Sequence, residues 1–350
     1  MSKPELVIAK KTISQDSPCF VIAEMGHNHQ GDLKTALQMI DEAARCGAHA
    51  VKLQKRFNKS LYTREMYNKQ YENENSFGKT YGEHREKLEF GMNEYRTLQR
   101  HAKKRGVVFF ATAFDFQSVD FLEELGVPAY KIASGDVTNH PLLEYIAKTG
   151  KPIFISTGAC SLDEIRMAIE VIKKYHTKVC ILQCTAAYPA DSRDLHLNVI
   201  QTLKREFPEC LIGYSGHDNG VVMPVVAYVL GAVVVEKHFT LNRAMKGTDH
   251  KFSLEPQGLR KMLRDLERVR LALGSNEKIC LPIEASAKTK MGKSLVLKKA
   301  LKKWSIITKG AIELKSPGHG IPPYKLEDVI GKKVKRSLPK EHILTFEDLQ

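Results

Sequence analysis

The sequence predicts an α/β fold, a (β/α)₈ TIM barrel, followed by a small, mainly β domain. Three observations carry this. Short apolar runs rich in β-branched or aromatic residues recur eight times, and most are followed by a helical pattern. Polar side chains gather at the ends of these runs. After Leu273 the helical pattern gives way to short strand-like runs and turn signals. Eight βα units in about 270 residues fit a barrel, which takes about 250. A doubly wound open sheet is the alternative arrangement of the same alternation.

The elements follow in order. The first strand is Phe20-Val21-Ile22-Ala23, and Leu33 to Cys46 is its amphipathic helix. The second is Ala50-Val51-Lys52-Leu53. Lys55 to Met92 then forms an overlong connection rich in Tyr, Asn, Glu and Lys. Structureless connections of this length in compact domains are usually functional, often lids; a disordered surface insertion is the other reading. The helix Asn93 to Arg105 ends in a basic turn followed by Gly106, as a C-cap requires. The third strand, Val107 to Phe110, precedes a helix at Val119 to Leu125. Ala129 to Ile132 is the fourth strand and Pro152 to Ile155 the fifth. Ser161 and Glu164 make a capping box that opens the helix Leu162 to Tyr175. Val179 to Leu182, Leu211 to Tyr214 and Ala232 to Val235 are the last three strands, and Pro256 to Leu273 is the last barrel helix.

Gly274-Ser275-Asn276 breaks that helix and Pro282 marks a linker. The expected division is a barrel over 1–282, a linker over 283–292 and a β domain over 293–350. A domain of about 60 residues is near the lower limit for folding alone, so docking onto the barrel or a partner chain is expected.

Composition narrows the function. Charged residues are 27% and hydrophobic residues 43% of 350, which excludes disorder as the main state. No apolar run approaches the roughly 18 residues that span a bilayer, and Met1 to Lys11 lacks a signal-peptide core, so no membrane partner is expected. The formal charge is +14, of which Ser286 to Gln350 carries +9, from 14 Lys and one Arg against six acidic residues. A nucleic-acid contact, an anionic small substrate and a solvated basic face compete to explain it. Lys332-Lys333-Val334-Lys335-Arg336 lacks interleaved aromatics, which favours a solvated strand face over nucleic acid. The seven cysteines are irregularly spaced, without a C-x-x-C, and suit reduced thiols in a cytoplasmic protein.

In a parallel barrel the chemistry sits at the C-terminal ends of the strands. There the sequence places Glu24, Lys52 with Gln54, Thr112, Lys131 with Ser134, Ser156 with Thr157, Gln183 with Tyr188, Ser215 with His217, and Glu236 with His238. So regular a polar rim indicates an enzyme. His217 and His238 end neighbouring strands, where two imidazoles can hold a divalent metal with positions open for water and substrate; hydrogen bonding within the rim is the other reading. Glu236, two residues before His238, points to the same side as a base or supporting partner. Lys52 and Lys131, with nearby hydroxyls, make a site for a small polyanion such as a phosphate plus a carboxylate, or else form salt bridges. His27-Asn28-His29 and Gly216-His217-Asp218 are weaker signals, open to structural roles.

At these residues the chain resembles the sialic acid synthases, the N-acetylneuraminate synthase family, over nearly its whole length. The anchors are Ile22 to Gly31, Val51 to Gln54, Tyr130 to Gly135, Ser156-Thr157-Gly158, Gln183-Cys184-Thr185 with Tyr188-Pro189, Gly213 to His217, Glu236 to Thr240 and Gly247 to His250. The insertion Lys79 to Arg85 also fits, and the C-terminal segment is similar to the antifreeze-like (SAF) domain of these enzymes. The resemblance implies condensation of phosphoenolpyruvate with N-acetylmannosamine, or its 6-phosphate, to a nine-carbon 2-keto acid and phosphate. Synthases of legionaminate, pseudaminate or another ulosonate are the related alternatives, and a basic nucleic-acid-binding protein on an inactive barrel is the alternative of a different class. It further implies that Lys52, Thr112, Lys131, Ser134, Ser156 and Ser215 hold phosphoenolpyruvate, that Glu24, Tyr188 and Asp249 bind the sugar, and that Glu236 activates or orients water. His217 and His238 would hold Mn²⁺ or Mg²⁺. A domain-swapped homodimer is implied as well. The chain departs from the family at Ala186, where some members carry Asn, at Lys237, where Arg is common, and at Trp304, often Gly. Ser316, preceded by Lys315, stands where bacterial members carry an Arg that reaches the sugar N-acyl group of the partner subunit.

Overall fold

The computed structural model describes residues 3–350. Eight parallel strands close into a barrel: β1 (Phe20–Gly26), β2 (Ala50–Lys55), β3 (Val108–Ala113), β4 (Tyr130–Ile132), β5 (Ile153–Ser156), β6 (Val179–Cys184), β7 (Leu211–Gly216) and β8 (Val234–His238). Each strand pairs with its sequence neighbours, and β8 closes the ring against β1. This excludes the open sheet. All residues of β1, β3, β6, β7 and β8 are buried, as expected for a sheet covered on both faces. An N-terminal hairpin, Glu5–Ile8 with Lys11–Ser14, was not read from the sequence; it adds Leu6, Ile8 and Ile13 to the barrel core.

Several strands run past their apolar runs. Glu24 and Gln54 were expected near strand ends, yet lie inside β1 and β2, and Thr112, Gln183 and Ser215 also lie within strands. Gln54 donates to Glu24, Lys52 to Thr112 and Ser215 to Glu236, whereas Gln183 donates to Leu195 O.

The helices follow the sequence pattern. Leu33–Cys46 starts at Asp32, whose side chain accepts from Thr35 N, and ends at Gly47 at φ 95°. It buries Ala36, Met39, Ile40 and Ala43. Leu162–Lys173 opens with the Ser161–Glu164 capping box. His140–Ala147, Val199–Glu206 and Val222–Val229 complete the helices after their strands.

The long connection after β2 is not structureless. It holds Asn58–Leu61, Arg64–Asn68 and Tyr81–Lys87, the last opened by a Thr80–Glu83 capping box. Helices of this length are too short to show a 3.6-residue period. Lys55 Nζ, 3.0 Å from Glu89 Oε2, ties the start of the segment to its end.

The chain divides into two compact units, Met1–Gly274 and Ser275–Gln350. The stretch expected as a linker carries a 3₁₀ turn, Pro282–Glu284, and the helix Ala285–Met291. The second unit pairs Ser294–Leu297 with Ile312–Lys315 antiparallel and has its own core, including Leu295, Leu297, Ile307, Val334 and Leu344. In its basic run Val334 is buried while Lys332, Lys333, Lys335 and Arg336 are exposed, the pattern of a solvated face. All seven cysteines are free thiols. Among the described residues no helix is long and apolar enough to cross a membrane.

Candidate active site

The C-terminal ends of the strands surround a cavity of about 670 Å³. Strand alternation decides what enters it. Glu236 and His238 of β8 face in, while Lys237 between them faces out. The register sets Glu24 beside Lys52 and Gln54 beside Thr112. Every residue to which the family resemblance gives a role lines this cavity: Glu24, Lys52, Thr112, Lys131, Ser134, Ser156, Tyr188, Ser215, His217, Glu236, His238 and Asp249. The same alternation corrects two others. Gln183 and Thr157 face away into a neighbouring space, where Gln183 Nε2 donates to Leu195 O and Thr157 Oγ1 to Leu182 O; Cys184 lines the site instead.

The two lysines differ. Lys52 Nζ donates to Thr112 Oγ1 at 2.8 Å and lies 2.7 Å from Glu24 Oε2 and 3.7 Å from Glu236 Oε1. The contact with Glu24 Oε2 is a buried ion pair. Lys131 Nζ donates to Ser156 Oγ at 2.6 Å and Ile132 O at 2.9 Å, with no carboxylate within 4.0 Å among the described residues. So salt bridging describes Lys52, whereas Lys131, whose pKa burial lowers, has no carboxylate partner and is open to another anion.

The two carboxylates are pushed apart. Burial raises Glu24 above the ordinary carboxylate range, against the pull of Lys52. Burial also works to raise Glu236, but Lys52 and Lys131 outweigh it and hold Glu236 lower. The two proton affinities thus shift in opposite directions, Glu24 upward and Glu236 downward, while Glu24 stays paired with Lys52.

The imidazole rings of His217 and His238 lie 5.4 Å apart, centroid to centroid. Burial, then the neighbouring His238, lowers His217 to about 4; burial also lowers His238. Both rings are therefore neutral near pH 7 and carry a lone pair. His217 Nδ1 donates to Thr185 O at 2.8 Å, which leaves Nε2 as its acceptor. His238 Nδ1 is buried without a hydrogen-bond partner, 3.6 Å from Asp249 Oδ2, and Glu236 Oε2 is likewise unpartnered. These donors suit a divalent ion that takes further positions from water and substrate. No preformed group of three His, Cys, Asp or Glu ligands occurs among the described residues. Tyr188, 59% exposed, packs on His217 at 4.2 Å between centroids.

Within the two weaker signals, His29, Asn28 and Asp218 have structural partners. His29 stacks on Phe90 at 4.3 Å and accepts from Gly31 N. Asn28 Nδ2 donates to Phe239 O and Ser253 Oγ. Asp218 engages Tyr214 and Lys237 rather than His217. In the second unit Ser316 Oγ accepts from Lys293 Nζ, and Lys315 Nζ lies 2.8 Å from both Glu313 and Glu341 carboxylates.

His27, a weak signal in the sequence, lines the cavity, as do Arg56 and Arg85, which sequence reasoning missed as site residues. Arg56 directly follows β2 and is only 7% exposed; Arg85 comes from the helix Tyr81–Lys87. Neither position carries a local motif.

The chain is similar to known proteins. Residues 39–278 match the family model described as the NeuB family, and residues 292–350 match the SAF domain. The chain is 43% identical over 318 residues to N-acetylneuraminate-9-phosphate synthase of Homo sapiens, covering 91% of this chain and 89% of that one. It is 35% identical to N,N'-diacetyllegionaminic acid synthase of Legionella pneumophila, covering 95% of each. A solved N-acetylneuraminic acid synthetase from Leptospira borgpetersenii superposes with a TM-score of 0.72 at 36% identity, over 81% of this chain and 95% of that one.

Proposed function

The chain belongs to the NeuB family, and from that premise we propose that it joins phosphoenolpyruvate to the open-chain form of an N-acylated hexosamine such as N-acetylmannosamine, releasing phosphate. The observation that carries this reading is one cavity holding two buried lysines, two carboxylates of divergent proton affinity and two neutral imidazoles.

Lys52 and Lys131, with Thr112, Ser134, Ser156 and Ser215, hold the phosphate and carboxylate of phosphoenolpyruvate. Glu24, Tyr188 and Asp249 hold the sugar with its aldehyde toward the enol carbon. The enol double bond supplies the electron pair of the new C–C bond, and the aldehyde oxygen takes a proton, for which Glu24 is poised. The cationic centre left at the former enol carbon is captured by water, whose proton passes to Glu236. The tetrahedral carbon then becomes the ketone as its bond to the phosphate oxygen breaks, and the new hydroxyl's proton leaves on the phosphate. His217 and His238 would hold Mn²⁺ or Mg²⁺, which supplies polarisation of the aldehyde carbonyl. Cytoplasmic residence and a domain-swapped homodimer belong to the same proposal.

The test is incubation with phosphoenolpyruvate, Mn²⁺ and a panel of N-acetylmannosamine, its 6-phosphate and deoxygenated diamino sugars, reading phosphate release and product mass. Turnover that yields a nine-carbon 2-keto acid supports the reading and identifies the sugar. No phosphate release with any sugar overturns it.

A further inference from the structure

We propose that Arg56 and Arg85 form a second anion subsite in this cavity, one that takes the terminal phosphate monoester of a phosphorylated acceptor sugar. The proposal rests on the condensation reading for the identity of the sugar, and on side-chain geometry for the subsite itself.

Both guanidiniums line the cavity, and no carboxylate of the described residues lies within 4.0 Å of either. Their partners are neutral. Arg56 Nη2 donates to Gln54 Oε1 at 2.6 Å, and its guanidinium lies 3.7 Å from the centroid of the Phe114 ring. Arg85 donates to Tyr81 Oη through Nε at 3.0 Å and Nη2 at 2.8 Å. The nearby Glu89 is paired with Lys55 at 3.0 Å; it lies 3.9 Å from His27 Nε2 and, of Arg56, reaches the backbone N–H, at 3.4 Å, and not the guanidinium. Arg56 is buried and Arg85 half-buried; guanidiniums withdrawn from water without a counter-charge are costly, so an uncompensated pair of this kind marks a place where an anion binds.

His27 sharpens the point. Its Nε2 lies 3.1 Å from Arg56 Nη1 and its Nδ1 lies 3.2 Å from Arg85 Nη1. Burial and the two guanidiniums keep this imidazole neutral. A neutral imidazole accepts at one nitrogen only, and guanidinium is a donor only. One of the two contacts therefore sets N–H against N–H. An anion bridging the guanidiniums gives the frustrated donor an acceptor.

The position suits a sugar phosphate. Lys52 touches Glu24, Glu24 accepts from Gln54 Nε2 at 2.7 Å, and Gln54 accepts from Arg56. The arginine pair is thus set apart from the lysines that serve phosphoenolpyruvate, with the sugar-contacting Glu24 between them. An open-chain hexosamine 6-phosphate carries its aldehyde and its phosphate at opposite ends. A neutral sugar would leave both arginines unmatched.

The experiment uses the full chain with Mn²⁺. It measures kcat/KM and calorimetric binding for N-acetylmannosamine and its 6-phosphate, in wild type, Arg56→Met, Arg85→Met and the corresponding Lys variants, with folding checked by circular dichroism. Wild type is expected to prefer the 6-phosphate by about 100-fold, as bidentate charged recognition allows. Each Met variant is expected to cut kcat/KM for the 6-phosphate at least about 10-fold more than for the unphosphorylated sugar, and the Lys variants to recover part of the preference. Equal losses on both sugars, no wild-type preference, or a raised KM for phosphoenolpyruvate would overturn the subsite. If no sugar turns over, the condensation reading fails, and binding still decides. Tighter binding of the 6-phosphate that the Met variants abolish upholds the subsite, and equal binding of both sugars overturns it.

Discussion

Lys237 and Asp218 form a buried ion pair, 3.1 Å from Nζ to Oδ1, on the face of β8 opposite His238. Tyr214 Oη also donates to this carboxylate oxygen at 2.7 Å. The pair joins the residue beside His238 to the residue beside His217, so it braces the two strand ends that carry the imidazoles. Lys237→Met leaves Asp218 buried without its counter-charge and is expected to cost about 3–5 kcal/mol. Lys237→Arg keeps the charge and should cost less. Urea unfolding followed by circular dichroism measures both; a loss below about 1 kcal/mol for the Met variant would show that the pair does not brace the strands.

The imidazoles themselves make the next prediction. His217→Ala and His238→Ala should each lose Mn²⁺ affinity and phosphate release together, by about 10-fold or more, because each removes one of two neutral nitrogen donors. Metal titration by calorimetry, beside the activity assay, checks this. Full turnover in both single variants would remove the metal assignment.

Gly26 has φ 50°, and an added Cβ would sit 3.3 Å from Asp249 Oδ2 and 3.4 Å from Glu24 Oε1. Gly26→Ala thus combines a left-handed backbone with crowding of the two carboxylates proposed to hold the sugar. A loss of about 1–2 kcal/mol in stability is expected, together with a raised KM for the sugar. A KM unchanged for the sugar would separate the backbone effect from the site.

Asp348 supplies the pH dependence of the second unit. Its buried carboxylate accepts from Arg336 at 2.8 Å, His342 at 2.9 Å and Thr345. Burial works to raise its pKa, but these bonds outweigh it and hold the group at about 2, below the ordinary 3.8. A carboxyl depressed in the folded state stabilises fully above its unfolded pKa, and that contribution fades as pH falls from about 4 through about 2. The contribution is about 2 kcal/mol. Trp304, the single tryptophan of the chain, lies in this unit, so its fluorescence reports unfolding there. Wild type should lose stability relative to Asp348→Asn on going from pH 5 to pH 2. A constant difference between them across that range would contradict the assignment.

The barrel was legible because its signals are local. Apolar runs such as Val179 to Leu182 announce strands, and the spacing of Glu236 from His238 already places both on one face. The short helices between Lys55 and Met92 were not legible, because four to seven residues do not display a helical period.

By itself the sequence determined the eight-stranded alternation and the rim of polar strand ends from Glu24 to His238. Strand and helix periodicity are properties of neighbouring residues. The tertiary structure decided the rest: that Cys184 and not Gln183 faces the site, that Lys52 is paired while Lys131 is free of carboxylates, and that Arg56 and Arg85 meet across His27. Those outcomes depend on which face of each strand turns inward and on contacts between segments far apart in the chain, and burial then sets the charge states that such contacts leave behind.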